Sequence, residues 1–177
     1  METKLVNYII AAIYNPNFFE KEKIVNIIEK KIGKIDYISI DYNFSSHTNY
    51  YLDEMGEPLY RFFVSLKELN YADKLVNYKL LSDIIEKNEF SIDGKRKVNL
   101  DVGYIDYDKL ILASFKYRSQ KIYLGSNVWA DLILIYTKKN FKPLEWTFHD
   151  FKTDLYYKTL KEIRDLFIKK LREVKNG

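Results

Sequence analysis

The first apolar stretch of the chain sets the expected architecture. Residues 5–14 are LVNYIIAAIY, in which only Asn7 is strongly polar. A membrane-spanning helix needs about 20 consecutive apolar residues, whereas a buried strand needs only a short apolar run. We therefore predict a buried strand over Leu5–Tyr14 and no membrane partner. No basic segment precedes this stretch, so no secretory signal peptide is expected, and we predict a cytoplasmic protein.

The segments that follow this strand alternate between helical and strand periodicity. Asn17 and Glu20 have the spacing of a helix-capping box. Isoleucines follow them at helical spacing, and Gly33 ends the predicted helix. Residues 35–44 alternate apolar and polar side chains, which predicts a strand, and residues 59–66 form the next one.

The rest of the chain is assigned from the same patterns. The predicted elements are a helix at 70–88, a strand at 97–105, a short helix at 106–115, a hairpin at 121–124 and 128–137, and a long helix at 153–174. The chain therefore begins β-α-β-β-α-β, which is the ferredoxin-like pattern. We predict one α+β domain over residues 1–177, with a mainly antiparallel or mixed sheet, helices packed on one face, and a C-terminal hairpin and long helix.

The composition excludes several kinds of protein. The chain has 177 residues and no cysteine, which excludes disulfides, thiolate zinc sites and iron–sulfur clusters. Its two histidines, His47 and His149, stand far apart, which argues against a histidine-rich metal centre. Six scattered glycines form neither a phosphate-binding loop nor a dinucleotide fingerprint. We therefore expect no haem, flavin or Rossmann-bound dinucleotide, while a divalent cation stays open.

The net charge of +4 lies at the C-terminal end of the chain. Seven basic and three acidic side chains in residues 158–177 account for all of it. A protein built to coat nucleic acid carries a larger basic surface, so we do not expect nucleic acid as a partner. We interpret this segment as the solvated face of the last helix, with a weak anion-binding patch as the alternative. The lysine-rich composition fits a thermophile and A/T-rich codon usage equally well.

Charged and polar residues inside strand patterns are the main candidates for a site. Asp131 lies in an apolar strand, and Asn99 and Asp101 share one face of another predicted strand. A buried charge without a partner costs several kcal/mol, so these residues either face solvent or line a pocket. In a pocket, the carboxylates could hold a divalent ion or act as a general base. Lys116 and Arg118 follow the predicted short helix and could bind an anionic group.

Five stretches of the chain carry a family resemblance. They are YYLDEMG at 50–56, RKVNLDVGY at 96–104, LILASFK at 110–116, IYLG at 122–125 and EWTFHDF at 145–151. Together, and in this order, they resemble an uncharacterised bacterial family, the domain of unknown function 4416. The family has no established activity, so the resemblance directs attention to positions and implies no function.

The resemblance implies a set of site positions. They are Tyr50, Tyr51, Glu54, Met55, Gly56, Asn99, Asp101, Gly103, Tyr104, Lys116, Trp146, Thr147 and Asp150. The chain departs from the family's patterns at Val102, Gln120, Lys121, Phe148, His149 and Phe151. Gln120 stands where the family tends to have histidine, which argues against an essential histidine there.

Three functional hypotheses follow. The first is a cytosolic binding protein for a small anionic ligand, nucleotide-like or phosphorylated. Its candidate ligand-binding residues are Lys116, Arg118, Tyr104 and Trp146, the last two by stacking. Another is a protein–protein interaction module in which the motifs are purely structural.

The remaining hypothesis is a divalent-metal-dependent hydrolase or transferase that uses four acidic residues. They are Glu54, Asp101, Asp131 and Asp150. The candidate catalytic residues are Asp101, Glu54 and Asp150, and the candidate metal ligands are Asp101 and Asp131. This hypothesis requires at least three of the four acids to converge in one cleft.

Overall fold

The computed structural model describes residues 4–46 and 50–176. The strands are β1 (Leu5–Tyr14), β2 (Ile35–Ile38), β3 (Tyr42–Asn43), β4 (Tyr60–Leu66), β5 (Asn70–Tyr71), β6 (Ser91–Ile92), β7 (Lys95–Arg96), β8 (Val98–Ile105), β9 (Lys109–Ser114), β10 (Ile122–Gly125), β11 (Val128–Thr137) and β12 (Asn140–Pro143). The helices are α1 (Lys21–Lys31), α2 (Leu52–Met55), α3 (Leu75–Glu89), α4 (His149–Lys152) and α5 (Tyr157–Asn176).

A large antiparallel sheet forms the centre of the molecule. Its strand order is β10-β11-β9-β8-β1-β4-β2, with β12 added to β11, β3 to β4 and β5 to β1. The short strands β6 and β7 form a separate hairpin. This arrangement confirms the predicted α+β class with a mainly antiparallel sheet. The strand predicted over Leu5–Tyr14 is β1, which pairs with β4 on one side and β8 on the other.

Helices cover both faces of this sheet, so the prediction that they pack on one face is wrong. Tyr8 and Ile10 of β1 pack in one apolar cluster with residues of α1 and α3. The alternate residues Ile9 and Ala11 pack in a second cluster with residues of α5. Successive side chains of a strand point to opposite faces. Because β1 is apolar at odd and even positions alike, both of its faces need a covering layer.

The segment predicted as a short helix at 106–115 is instead β9. The side-chain Oδ1 of Asp106 accepts hydrogen bonds from the backbone N–H groups of Asp108 and Lys109, and this turn sends the chain back along β8. The apolar run that follows pairs with both β8 and β11. A short apolar run between turns fits a strand or a helix, and the partner strands decide between them.

Several further predictions can be compared with the structure. The hairpin is present as β10 and β11, and the long final helix is α5. The strand predicted over residues 35–44 is divided into β2 and β3. From β1 to β8 the longer elements follow the predicted order, with short elements between them. The ferredoxin-like assignment of this start and the single domain over residues 1–177 stay predictions. Within the described ranges, no helix is long and apolar enough to cross a membrane.

The sheet opens between β8 and β9, and this opening positions the site. β8 pairs with β1 along its whole length, but it pairs with β9 only from Gly103 to Ile105. β9 stays with β11 as far as Ser114. A Cβ atom on Gly103 would lie 2.0 Å from the carbonyl oxygen of Ile111, so only glycine fits where the strands begin to separate. Beyond this point the facing edges of β8 and β9 are unpaired with each other.

Two side chains of α3 form hydrogen bonds with the edge of β8 at the positions where β9 no longer pairs with it. The backbone N–H of Leu100 donates to Oε1 of Glu86 at 2.7 Å. The carbonyl of Leu100 accepts a long hydrogen bond from Nζ of Lys79 at 3.5 Å. Buried backbone groups need such partners, so these two side chains replace part of the missing ladder. Burial raises the pKa of Glu86 despite the nearby cations.

Candidate functional site

A pocket of about 380 Å³ lies where β8 and β9 separate. One side is formed by Asn99 and Asp101 of β8, and the other by the residues that end and follow β9. Phe148 and residues of α4 also line it. Pockets for small molecules have volumes of roughly 300–1,000 Å³, so this one can take a small ligand.

The pocket brings together most of the candidate residues. The candidates that line it are Asp101, Asp131, Asp150, Lys116 and Arg118. Glu54 does not line it but binds Arg96, which does. The two residues proposed for stacking lie elsewhere. Tyr104 packs against Tyr8 on the α3 side of the sheet, and the indole Nε1 of Trp146 donates to the carbonyl of Leu132 at 2.9 Å.

The outer part of the pocket carries a cationic rim, which we define as Lys116 and Arg118. Both side chains are exposed, and neither forms an ion pair with a carboxylate in residues 4–46 or 50–176. Nζ of Lys116 contacts the hydroxyl of Tyr50 and lies 3.9 Å from the centre of its ring. Partial burial, together with the charges of Lys121 and Arg118, lowers the pKa of Lys116. The rim is therefore a concentration of positive charge.

The inner part carries an arginine cluster, which we define as Arg61, Asp101 and Asp150. Arg61 is buried in β4 and pairs with Asp150 and with Oδ2 of Asp101, the latter at 3.3 Å. Its guanidinium lies 4.5 Å from the ring centre of Phe44 and 5.1 Å from that of Phe151. Burial alone lowers the pKa of Arg61, but the attraction of Asp150 and Asp101 outweighs it and the net shift is upward.

The register of the sheet places the arginine cluster. Ile13 of β1 lies opposite Arg61 on β4 and opposite Asn99 on β8. Side chains at directly opposite positions share one face of a sheet. This is the face that α5 covers, since Ile9 and Phe63 pack there with residues of α5. The register therefore places the guanidinium of Arg61 and the amide of Asn99 on the same face of the sheet, where both line the pocket.

A second buried ion pair lies beside the rim. Nζ of Lys121 is 3.2 Å from Oδ2 of Asp131, and each side chain is only 3% exposed. Nζ of Lys121 also donates to Oγ of Ser114 at 2.9 Å. The apolar neighbours of Asp131 in sequence therefore reflect real burial, and Lys121 is the partner that makes this burial tolerable.

Arg96 connects the pocket wall to α2 and α3. Its Nε and Nη2 donate to both carboxylate oxygens of Glu54, at 2.8 and 3.0 Å. Its Nη1 donates to Oε2 of Glu86 at 2.7 Å and to Oδ1 of Asn99 at 2.8 Å. The hydrogen bonds from Arg96 lower the pKa of Glu54. Glu54 is therefore a positioning residue for Arg96, which in turn holds the amide of Asn99.

Sequence reasoning missed Arg61 and Arg96, the centres of these two networks. A signal for Arg61 was present, because it is the one charged residue in the apolar strand YRFFVSL. A charge in such a strand needs a buried partner or a pocket. Arg96 gave no such signal, because it lies in the short strand β7 between two lysines, where a charge is unremarkable.

Three buried polar atoms have no hydrogen-bond partner among the described residues. They are Nε of Arg61, Nδ2 of Asn99 and Oδ1 of Asp131. All three belong to residues that line the pocket. Most buried polar groups are paired with protein or with ordered water, so three such atoms around one cavity mark a place where water or a bound ligand supplies the partners.

The four predicted acids already have basic partners. Glu54 pairs with Arg96, Asp131 with Lys121, and Asp101 and Asp150 with Arg61. Across residues 4–46 and 50–176, no group of three or more histidine, cysteine, aspartate or glutamate side chains could hold a metal ion. The convergence of acids that a metal site requires is therefore not found there. His149 lines the pocket, while His47 lies outside the described residues.

The fold and the site define an α+β protein with a positively lined pocket in an opened antiparallel sheet. The model of the family described as Domain of unknown function (DUF4416) matches residues 3–167, and the chain belongs to this family. The resemblance found in the sequence is thereby confirmed. No curated protein and no solved structure matches the chain. The description of this family names no activity.

Proposed function

We propose that the protein binds a small anionic ligand, phosphorylated or nucleotide-like, in the pocket between β8 and β9. The observation that carries the proposal is the charge of the lining. Six basic side chains line the pocket against three acidic ones, and all three acids pair with basic partners. The cationic rim is left without a carboxylate partner in the described part of the chain.

The energetics of the rim support the same proposal. The lowered pKa of Lys116 means that its neighbours and its partial burial disfavour its charged form. A bound anion would reverse this effect, because it attracts Lys116 and Arg118 together. Perturbed charges in a cleft are typical of functional sites. Rings beside the cations, such as Tyr50 and Phe148, could also contact a planar part of the ligand.

The alternatives have less support. A metal-dependent hydrolase or transferase would need free carboxylates, and each of its four candidate acids is held by a base. An interaction module is supported by the exposed apolar residues Ile122, Tyr123 and Leu124 on the edge strand β10, but this hypothesis leaves the charged pocket unexplained. A cytoplasmic location and the absence of a nucleic-acid partner stay predictions.

The proposal is tested by calorimetric titration and thermal shift at low salt with inorganic phosphate, pyrophosphate and adenosine 5′-monophosphate. We expect at least one of them to bind and to stabilise the fold by about 2.7 kcal/mol at roughly 100 times its Kd. Arg118→Ala should weaken binding about tenfold, which corresponds to about 1.4 kcal/mol.

The matched control is Arg172→Ala, which removes an exposed arginine of α5 that does not line the pocket. It makes the same change in net charge and should leave the affinity as in the wild type. Equal losses of affinity in both variants would show nonspecific attraction by net charge and would contradict the proposal. The absence of binding by any of the three anions would also contradict it.

A further inference from the structure

The three unpaired buried atoms indicate what chemical groups a ligand must carry apart from the anionic group that meets the rim. Nε of Arg61 and Nδ2 of Asn99 are hydrogen-bond donors, and Oδ1 of Asp131 is an acceptor when the carboxylate is ionised. A single ligand that pairs with all three atoms must therefore offer acceptors for two of them and a hydrogen for the third. The inference that follows rests on the proposed function.

The donor character of Asn99 is fixed by its surroundings. Amide oxygen and nitrogen are assigned from the hydrogen-bond network, and here Nη1 of Arg96 donates to Oδ1 of Asn99 at 2.8 Å. Arg96 has no acceptor atom, so the oxygen must face it and the amine must be the unpaired atom. The bidentate contact with Glu54 holds Arg96 in this orientation.

The other two atoms are fixed in the same way. Lys121 pairs with Oδ2 of Asp131 at 3.2 Å, which leaves Oδ1 as the unpaired oxygen. Nη1 and Nη2 of Arg61 are bound by Asp150 and Asp101, which leaves Nε. In each residue, part of the polar group is held by the protein, and the remaining atom has no hydrogen-bond partner within residues 4–46 and 50–176.

A simple anion does not match this pattern. Inorganic phosphate supplies acceptors for Arg61 and Asn99 and keeps a hydroxyl near neutral pH, but its negative charge is repelled by the carboxylate of Asp131. A neutral body with hydroxyl or amine groups supplies both donors and acceptors. The rim, in contrast, offers only cations to a ligand.

We propose that the ligand is a phosphate ester whose phosphate meets Lys116 and Arg118 and whose neutral body donates a hydrogen bond to Asp131 and accepts from Asn99 and Arg61. Sugar phosphates and nucleotides share this chemistry. Selectivity for the ester over inorganic phosphate then comes from Asn99 and Asp131, and affinity for the phosphate comes from the rim.

The test compares the Kd of inorganic phosphate, ribose 5-phosphate, glucose 6-phosphate and adenosine 5′-monophosphate by calorimetric titration. At least one ester should bind the wild type about tenfold more tightly than inorganic phosphate, which is about 1.4 kcal/mol. A gain with the sugar phosphates identifies the sugar as the recognised body. A gain confined to adenosine 5′-monophosphate identifies the base.

Asp131→Asn gives the decisive comparison. The asparagine can accept from Lys121 through its oxygen and present its amine to the pocket, which replaces an acceptor by a donor. We expect ester binding to fall about tenfold while inorganic phosphate binds as well as before or more tightly, because a negative charge is gone. Loss of folding would lower both affinities together. Asn99→Ala is the second variant, and it should weaken only the ester.

The outcomes separate this inference from the proposed function. Equal affinities for esters and inorganic phosphate, still dependent on Arg118, would overturn the inference and leave an anion site. Equal effects of Asp131→Asn and Asn99→Ala on both kinds of probe would also overturn it. If no probe binds, or if Arg118→Ala has no effect on binding, the proposed function fails as well.

Discussion

The arginine cluster and the cationic rim line the same pocket but differ in the burial and the pairing of their cations. Arg61 in the cluster is buried and paired with two carboxylates. Lys116 and Arg118 in the rim are exposed and have no carboxylate partner among residues 4–46 and 50–176. A buried charge must be paired to be tolerated, while water solvates a charge at the surface. From this comparison we propose that the ion pairs of the cluster stabilise the fold and that the rim binds the anionic group of a ligand, while Nε of Arg61 faces the rest of that ligand.

The largest expected effect tests the cluster. Asp150→Ala removes the carboxylate that binds Nη1 of Arg61 and accepts from the hydroxyl of Tyr156. Breaking a buried ion pair from one side destabilises a protein by about 3–5 kcal/mol, and we expect a loss of this size in urea unfolding. Asp154→Ala, at an exposed position nearby, is the control and should cost less than about 0.5 kcal/mol. A loss for Asp150→Ala as small as that of the control would show that the cluster does not hold the fold.

The second effect tests the opening of the sheet, which separates Asp101 of the cluster from the rim residue Lys116. In Gly103→Ala the new Cβ would lie 2.0 Å from the carbonyl oxygen of Ile111, so β9 must move away. Overpacking of this kind costs about 1–3 kcal/mol, measured as the shift in the urea midpoint.

Gly33→Ala is the control for this substitution. Its nearest added contact is Cδ1 of Leu66 at 3.9 Å, an ordinary van der Waals distance. We expect a change smaller than about 1 kcal/mol there. If Gly103→Ala is as mild as Gly33→Ala, the close approach of the two strands is not what fixes their separation.

The sequence predicted the central strand and the α+β class because both follow from local periodicity. The run over Leu5–Tyr14 is apolar at every position but one, and β1 is buried accordingly. The same run could have predicted helices on both faces of the sheet, because an apolar strand with no polar side needs two covers. The helix predicted at 106–115 was wrong because the neighbouring strands that make this segment the strand β9 lie outside the local pattern.

The candidate site could be predicted residue by residue but not as a network. Asp101 and Asp131 were notable because charges inside strand patterns need an explanation, whereas Asp150 was singled out through the family resemblance. Their partners could not be identified, since Arg61 is 40 residues from Asp101 and 89 from Asp150 along the chain. Pairing over such distances depends on the register of the sheet, which no local spacing determines.

The smallest expected effect concerns the rim and separates it from the cluster by the sign of its pH dependence. Partial burial and the charges of Lys121 and Arg118 lower the pKa of Lys116 in the folded chain. Over the interval from this lowered value to the ordinary lysine value of about 10.4, the unfolded chain binds more protons than the folded one. The stability of the ligand-free protein should therefore rise slightly with pH in that interval.

Anion binding should change in the opposite direction over the same interval. A bound phosphate favours the protonated form of Lys116, so its affinity should fall as the pH rises and the lysine loses its charge. Urea unfolding and phosphate titration of the wild type, each compared with Lys116→Gln, isolate this residue from the other titrating groups. Because Lys116 is exposed, solvent screening keeps both effects small. Opposite slopes that vanish in the variant are expected of a binding cation, whereas parallel slopes would place Lys116 with the structural charges of the cluster.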